Sequence, residues 1–240
     1  MDAAATRFTD LRWFASIDST NRYLLDEAAR GAPEGVVAVA DEQTAGRGRL
    51  GRSWTAPPGA CLLVSVLLRP SLPAGRIHLV TLAAGVAAVD AVRALAGVPA
   101  ALKWPNDVVV DDRKLAGILA EASGDAVVVG MGLNVRWVEF PGELRDIATA
   151  CNLCGTRPVS RDEVLDAWLA EYDARLRDLD RVVEAATDRS ATLGRRVRVE
   201  LAHETFEGFA SRLTGEGHLV VRTDDAGERE VNAGDVVHLR

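Results

Sequence analysis

The sequence is poor in cysteine and contains no long apolar segment. Its three cysteines among 240 residues are an odd number, which does not indicate a disulfide framework. The longest apolar segment, Cys61–Leu68, is far shorter than the roughly 18 residues of a membrane-spanning helix. The N-terminal residues include acidic side chains and lack the apolar core of a secretory signal. We therefore expect a cytoplasmic protein that does not bind a membrane.

The charge balance excludes another broad class of partner. The formal net charge is −7, which argues against a nucleic-acid-binding surface spread over the whole chain. Hydrophobic residues make up 48% of the sequence and charged residues 26%, the composition of an ordinary globular protein. A chain of 240 residues is long enough for one large domain and a smaller second one.

The first part of the chain mixes the patterns of helices and strands. A helix is expected to begin at the Asp-Ser-Thr-Asn segment 18–21 and to end at Gly31, before a buried strand at Val36–Ala40. Further along we predict a strand at Cys61–Leu68, a helix over 77–95, and strands over 102–104, 108–110, 115–120 and 127–135. Gly124-Asp125 fits a hairpin turn. A capping box at 160–163 begins a helix whose apolar stripe indicates core packing.

The pattern changes near Thr192. Residues 197–201 and 219–222 are short alternating runs separated by Gly and Asp, which is typical of a small β-domain. We therefore predict an α+β fold in which residues 1–190 form a mixed sheet with helices and residues 191–240 form a small C-terminal β-barrel domain.

Residues 44–59, here called the glycine-arginine loop, have neither helical nor strand periodicity. Gly46-Arg47-Gly48-Arg49-Leu50-Gly51 matches the G-x-G-x-x-G fingerprint of dinucleotide-binding folds. However, prolines follow in place of a helix, and no Asp or Glu lies between Arg52 and Val89, so that interpretation fails. Glycine permits close backbone approach and arginine binds phosphate. The loop therefore indicates either a lid over a phosphorylated anion or a solvated basic loop.

Three more motifs combine charged or amide side chains with turns and glycines. They are Lys103-Trp104-Pro105-Asn106-Asp107, Lys114-Leu115-Ala116-Gly117-Ile118-Leu119-Ala120-Glu121 and Gly130-Met131-Gly132-Leu133-Asn134-Val135. Each has an ordinary explanation by itself, because Pro-Asn-Asp is turn chemistry, a lysine often ends a strand, and a strand glycine often marks a bulge. Their joint order along one chain is the informative feature.

Together with Asp-Ser-Thr-Asn at 18–21 and residues 43–54, these motifs resemble the biotin protein ligase family. The resemblance runs from about Ile17 to Val135 and continues less distinctly into the C-terminal domain. It implies a catalytic domain with a class II synthetase-like, biotin-lipoyl ligase-like fold over residues 1–190, followed by an SH3-like β-barrel. It also implies an ATP-dependent ligase that forms biotinyl-5'-AMP and transfers biotin to a lysine of a biotin carboxyl carrier protein domain.

The resemblance also implies roles for matching positions. Ser19, Thr20 and Asn21 are expected to contact the biotin ureido ring, where hydroxyl groups fit a polar head, and Gln43 matches another biotin-binding position. Lys114, Arg49 and Asp107 are the expected catalytic residues, and Asp107 is also the expected ligand of Mg²⁺. The expected contacts to biotin, ATP or the adenylate are Ser19, Thr20, Asn21, Gln43, Gly46, Arg47, Gly48, Arg49, Arg52, Trp54, Lys103, Asn106, Lys114, Gly117 and Asn134.

Other interpretations stay open at this point. Only 17 residues precede Asp18, which are too few for a helix-turn-helix domain, so we expect no nucleic-acid partner. A non-catalytic phosphate-binding module would use the loop but not the two lysines. A lipoyl or octanoyl transferase is a third possibility, although the Gly-Arg and Lys-Trp-Pro-Asn-Asp strings favour biotin. Cys151 and Cys154 form a C-x-x-C without further metal ligands nearby, and the four scattered histidines are expected to be structural or exposed.

Overall fold

A computed structural model describes residues 6–225 and 227–239 and contains two sheets. The first has seven strands: β1 (Asp10–Phe14), β2 (Val36–Ala40), β3 (Cys61–Leu68), β4 (Ala101–Lys103), β5 (Asp107–Val110), β6 (Arg113–Ser123) and β7 (Ala126–Asn134). Their order is β1-β2-β3-β7-β6-β5-β4. Strand β1 runs parallel to β2, and the other neighbours are antiparallel. The predicted mixed sheet is therefore confirmed.

One face of this sheet is covered by long helices. They are α2 (His78–Ala96) and α4 (Arg161–Arg177), with the shorter α5 (Val182–Asp188) packed against α2. The structure also contains α1 (Thr20–Ala29) and the single turn α3 (Cys151–Cys154). Helix α4 begins at the predicted capping box, and its buried Trp168 and Tyr172 donate hydrogen bonds to backbone carbonyls of α2 at 3.1 and 2.9 Å. Helix α2 is long and apolar enough to cross a membrane, but 72% of its apolar window is buried inside the protein. It is the central helix of the core.

The opposite face of the sheet carries α1 and the glycine-arginine loop. Ser19 caps α1 as predicted, by accepting a hydrogen bond from the Arg22 N–H. Leu24 and Ala28 of α1 pack on Leu67 and Val128. Because side chains alternate along β3, Val64 and Val66 enter the main core while Ser65 lies beneath α1. This alternation places the polar side chain of Ser65 beneath the start of α1.

The C-terminal sheet comprises β8 (Arg196–Glu200), β9 (Thr205–Leu213), β10 (Leu219–Arg222), β11 (Glu228–Val231) and β12 (Asp235–His238). Its order is β11-β10-β9-β8-β12, with antiparallel neighbours throughout. Strand β12 pairs with β8 and not with β11. Within the described residues the sheet therefore does not close into a barrel, and the predicted SH3-like barrel is not confirmed.

The two sheets contact each other near β4. The indole N–H of Trp104 donates to the Gly217 carbonyl at 3.1 Å, and the Trp104 backbone N–H donates to the buried Thr192 hydroxyl at 3.1 Å. His238 lies between Thr192 and Asp112 at 3.1 and 2.8 Å. These hydrogen bonds hold the C-terminal sheet against β4 and the segment that follows it.

Candidate active site

A narrow cavity lies between the start of α1, strands β6 and β7, and the glycine-arginine loop. Eleven of the predicted site residues line it: Ser19, Thr20, Asn21, Gln43, Arg47, Gly48, Arg49, Trp54, Asn106, Lys114 and Gly117. A second cleft joins it and holds Lys103, Asp107 and Arg52 beside Asp235. The cavity volume is about 50 Å³, below the roughly 300 Å³ of a typical small-molecule site. The cavity by itself is therefore too small for a whole ligand, and the joined cleft adds about 240 Å³.

The closed end of the cavity is lined by polar side chains that form hydrogen bonds with one another. The Thr20 backbone N–H donates to Gln43 Oε1 at 2.8 Å, and the Thr20 and Asn21 side chains both contact the Ser65 hydroxyl at 2.7 and 2.6 Å. Ser19, Thr20 and Asn21 are each less than 5% exposed. Buried polar groups without ligand or partner are costly, so this end suits a compact ligand head with both donors and acceptors.

Two glycines on neighbouring strands make room for Trp54. Gly117 of β6 and Gly132 of β7 are paired in register. A Cβ at Gly132 would lie 2.5 Å from Trp54 Cε2, and a Cβ at Gly117 would lie 3.0 Å from Lys114 Cε. A side chain at Gly132 would clash with the indole ring, and one at Gly117 would require Lys114 or Trp54 to shift by a few tenths of an ångström. The glycines of these two motifs are therefore explained by the close approach of the indole ring and Lys114.

Lys114 lies at the junction between the cavity and the second cleft. Its Nζ is 2.7 Å from Asp107 Oδ1 and 5.7 Å from the centre of the Trp54 ring. Asn106 is fixed next to it, because its Nδ2 donates to the Ile118 carbonyl at 2.8 Å. The sequence contains 28 lysines and arginines, of which only Lys103 and Lys114 are lysines. That both lysines lie in these two clefts is a signal that the sequence analysis did not use.

The glycine-arginine loop is folded down on the cavity. Its backbone closes on itself through the Trp54 N–H to Gly46 carbonyl hydrogen bond at 3.0 Å, and a Cβ at Gly46 would lie 2.4 Å from the Trp54 carbonyl oxygen. As predicted, the loop has neither a long helix nor a strand, and its one short helix is a 3-10 turn at Arg49–Gly51. Leu50 there has a φ of 55° and is 72% exposed.

The three arginines of the loop contact residues of both sheets, and Arg49 and Arg52 both lie near Asp235. Arg47 pairs with Glu121 at 2.9 Å. Arg49 donates to Asn106 Oδ1 at 2.8 Å and to the Gly234 carbonyl at 3.4 Å, and Arg52 pairs with Asp235. The last two contacts join the loop to the turn between β11 and β12. The closed loop is thus held from both the large sheet and the C-terminal sheet.

An aromatic pocket lies on the other side of Lys114. It is lined by Trp54, Asn134, Trp137, Phe140, Leu144 and Ile147 among others. The rings of Trp137 and Phe140 are stacked with centroids 4.2 Å apart. Within the described part of the chain the indole N–H of Trp54 is buried without a hydrogen-bond partner. Trp137 and Phe140 were not among the predicted site residues.

Asn134 has a different environment from the one expected of an adenylate contact. Its amide donates to the Thr149 and Lys114 carbonyls at 2.9 and 3.4 Å. Its Oδ1 accepts from Trp137 Nε1 at 3.0 Å and from the Cys61 thiol at 3.1 Å. These contacts use the donors and acceptors of the amide. Asn134 therefore positions Lys114 and Trp137, and direct contact with an adenylate stays a prediction.

The cysteines of the C-x-x-C motif lie at the two ends of α3. Among residues 6–225 and 227–239 no cluster of three or more His, Cys, Asp or Glu side chains could hold a metal ion. Burial raises the pKa of the Cys151 thiol to about 12, so the thiolate that redox and metal chemistry require is disfavoured. Cys151 is a core residue at the start of α3.

Comparison with known proteins agrees with this geometry. The model of the biotin/lipoate A/B protein ligase family matches residues 13–135, and that of the biotin protein ligase C-terminal domain matches residues 192–239. A biotin–[acetyl-CoA-carboxylase] ligase of Mycobacterium tuberculosis is 41% identical, over 99% of this chain and 92% of its own length.

Solved structures of related proteins superpose along the chain. The biotin protein ligase of Aquifex aeolicus in complex with biotin and ATP has a TM-score of 0.86 at 31% identity, covering 97% of this chain and 100% of its own. That of Leishmania major in complex with biotinyl-5-AMP has a TM-score of 0.67 at 25% identity, covering 93% and 99%. The chain therefore belongs to the biotin/lipoate A/B protein ligase family, within its biotin protein ligase branch.

Proposed function

We propose that this chain is an ATP-dependent biotin protein ligase. It forms biotinyl-5'-AMP and then transfers biotin to a lysine on the biotin carboxyl carrier protein domain of a biotin-dependent carboxylase. The observation that carries the proposal is one continuous site. A buried donor-acceptor cluster at Thr20 and Gln43 is joined to Lys114 beneath a folded loop that carries three arginines. The complexes of the Aquifex and Leishmania relatives support it.

The cavity orients biotin with its ureido ring at the closed end. Ser19, Thr20 and Gln43 bind that ring, and Asn21 holds Thr20 in place through Ser65. The valeryl chain passes over Gly117, so that the carboxylate reaches Lys114. Gly46 and Gly48 let the glycine-arginine loop close over the ligand without side chains of their own.

The first step joins two anions. A biotin carboxylate oxygen attacks the α-phosphorus of ATP, the new bond forms between that oxygen and phosphorus, and the bond to the β-phosphate oxygen breaks to release pyrophosphate. Lys114 and Arg49 stabilise the charge that develops at the reacting centre, and Lys103, Asn106, Arg47 and Arg52 position the phosphates. Fixed cations lower such a barrier mainly by positioning and charge stabilisation.

Asp107 fits a magnesium ion bound with ATP. Its Oδ1 is buried and forms an ion pair with Lys114 Nζ at 2.7 Å, so a bound cation would replace or share that contact. Mg²⁺ is commonly bound through one or two carboxylates together with substrate phosphates. Asp107 would hold the ion, which supplies charge neutralisation for the departing pyrophosphate.

The aromatic pocket beside Lys114 suits the adenine base. Trp54, Trp137 and Phe140 offer ring faces, and the buried Trp54 N–H has no partner among the described residues. Stacking on aromatic side chains is a general way to bind a base. Asn134 supports this pocket through its hydrogen bond from Trp137 at 3.0 Å.

In the second step the carrier lysine amine attacks the acyl carbon, an amide bond forms, and AMP leaves with the bonding electrons. A free lysine has a pKa near 10.4, so a proton must be removed, and Asp107 is our candidate to accept it, besides its proposed role with the metal ion. The closed loop keeps water from the anhydride until then.

We also propose the domain division at residues 1–190 and 191–240, with the second domain holding the loop through Gly234 and Asp235.

Exchange of labelled pyrophosphate into ATP tests the first step. The purified chain is assayed with biotin, with lipoate, or with neither acid, and then with an unmodified carrier domain. We expect exchange that depends on biotin, followed by biotin on the carrier lysine. Exchange supported by lipoate alone would show a lipoyl ligase, and no exchange with either acid would show a binding module.

A further inference from the structure

Glu121 ends the Lys114–Glu121 motif and lies between two parts of the site. We propose that it is a positioning residue: its carboxylate holds Asn21, at the closed end of the cavity, and Arg47, in the glycine-arginine loop, in one arrangement. Closure of the loop and order at the closed end then depend on each other. This inference rests on the proposed function and adds to it a residue that helps to retain the adenylate through its two neighbours.

Strand β6 places Glu121 on the cavity side of the large sheet. Side chains alternate along a strand, so Glu121 lies on the same face as Gly117, which lines the cavity. The last pair between β5 and β6 is Asp107 with Gly117, whereas β6 continues to Ser123. The glycine-arginine loop reaches this extension of β6, where its Arg47 pairs with Glu121.

The two oxygens of the Glu121 carboxylate have different partners. Oε2 accepts a hydrogen bond from Asn21 Nδ2 at 2.8 Å, and Oε1 lies 2.9 Å from Arg47 Nη1. The Glu121 side chain is 25% exposed, so solvent screens the ion pair only in part. An amide at position 121 would offer one acceptor oxygen, and its NH2 group would face the N–H of the other partner. A carboxylate therefore suits both neighbours and an amide does not.

Asn21 connects the carboxylate to the closed end of the cavity. Its Nδ2 also donates to the Leu119 carbonyl at 3.2 Å, and its Oδ1 lies 2.6 Å from the Ser65 hydroxyl oxygen. That hydroxyl oxygen is 2.7 Å from Thr20 Oγ1, which is 3.0 Å from Gln43 Oε1. A continuous series of polar contacts therefore leads from the closed end to the carboxylate that pairs with the loop.

A shared side chain makes the two contacts cooperative. Ordering a glutamate side chain costs conformational entropy, and this cost arises once when both neighbours hold the same carboxylate. Loss of Asn21 leaves Glu121 with one partner and weakens its contact with Arg47, and loss of Arg47 has the converse effect. Because coupling is reciprocal, a loop closed through Arg47 also strengthens order at the closed end.

Arg52 provides a matched comparison within the same loop. Its partner is Asp235 of the C-terminal sheet. In the part of the chain that the structure describes, this pair shares no hydrogen bond or ion pair with Asn21 or Glu121. Loss of Arg52 should therefore speed release of the adenylate independently of Asn21.

Double-variant cycles on the full chain test the inference. The measured quantity is the rate at which labelled biotinyl-5'-AMP leaves the enzyme in a chase with unlabelled biotin. We expect Arg47→Ala to speed release about three- to fivefold, the upper range for a partly exposed ion pair. Combined with Asn21→Ala, it should give a rate at least about twofold below the product of the two single factors. The factors of Arg52→Ala and Asn21→Ala should multiply.

Repeating both cycles in Glu121→Gln shows whether the carboxylate carries the coupling. The factors of Arg47→Ala and Asn21→Ala should multiply in this background, because the shared carboxylate is absent. A coupling that passes through the bound ligand would persist instead. Thermal unfolding checks that each variant is folded, and Asn21→Ser takes the place of Asn21→Ala if the latter does not fold.

Three results would overturn the role of Glu121. They are factors that multiply in the Arg47 cycle of the otherwise unchanged chain, a deviation that survives Glu121→Gln, and an equal deviation in the Arg52 cycle. Failure of the wild-type chain to form any biotinyl-5'-AMP would instead overturn the proposed function, so the two failures are distinguishable.

Discussion

Replacing Asp235 with asparagine tests how the glycine-arginine loop stays closed over the adenylate. The variant removes the carboxylate that pairs with Arg52 and lies 3.9 Å from Arg49. The Arg49 contacts to Asn106 and to the Gly234 carbonyl remain. The loop therefore loses one of its attachments to the C-terminal sheet and keeps the others.

The expected magnitude is modest because the ion pair is partly exposed. The Arg52 side chain is 65% exposed and that of Asp235 is 17% exposed. Such pairs stabilise by about 0.2–1 kcal/mol, which corresponds to a change of about 1.5- to 5-fold in the loop-closing equilibrium. Arg49→Ala removes a charged hydrogen bond as well as a cation at the reacting centre. Its effect on the loop-closing equilibrium should therefore exceed about tenfold.

The assay measures how fast labelled biotinyl-5'-AMP leaves the enzyme during a chase with unlabelled biotin. We expect Arg52→Ala to speed release, and Asp235→Asn to speed it at least as much because it also removes the 3.9 Å contact with Arg49. The double variant should release the adenylate no faster than Asp235→Asn, since the Arg52–Asp235 pair is already lost in that variant. Additive effects in the double variant, or release from Arg49→Ala at the wild-type rate, would contradict the role given to the loop.

Three other results are expected. Lys114→Ala should abolish biotin-dependent pyrophosphate exchange, because the site loses its central cation; near-normal exchange would remove Lys114 from the site. Burial lowers the pKa of His238 below its usual 6.5, so its contribution to stability is present above that pH and is lost as pH falls. Urea unfolding should give a lower free energy of unfolding at about pH 5.5 than at about pH 7.5, and His238→Gln should make this difference smaller. An equal pH dependence in the wild-type chain and the variant would argue against this role of His238. The double variant Cys151→Ala, Cys154→Ala should keep its exchange activity, and its loss in a folded variant would reveal a function for the motif.

Local sequence patterns predicted the elements that depend on neighbouring residues. The cap at Ser19, the capping box at Ser160 and the glycine turn at Gly124, whose φ is +61°, involve groups a few residues apart. The same holds for the glycine-arginine loop, where prolines exclude a helix. Strand β1 was missed because its mostly exposed side chains give no buried pattern.

Features that depend on distant contacts were not predictable in this way. Ser65 is 44 residues from Asn21, and Asp235 is 183 residues from Arg52. Neither has a local motif that marks it as part of a site. The same reason explains why the predicted small β-barrel is not confirmed, because alternating patterns indicate strands but not whether the first and last strands of a sheet pair.

A crystal structure with bound biotinyl-5'-AMP, or with biotin and a non-hydrolysable ATP analogue, tests the central claim most directly. We expect the ureido ring at Thr20 and Gln43, Lys114 Nζ within hydrogen-bonding distance of the acyl phosphate, and Arg49 folded over both. A ligand bound elsewhere, with the glycine-arginine loop turned away and Lys114 remote from the phosphate, would contradict the account.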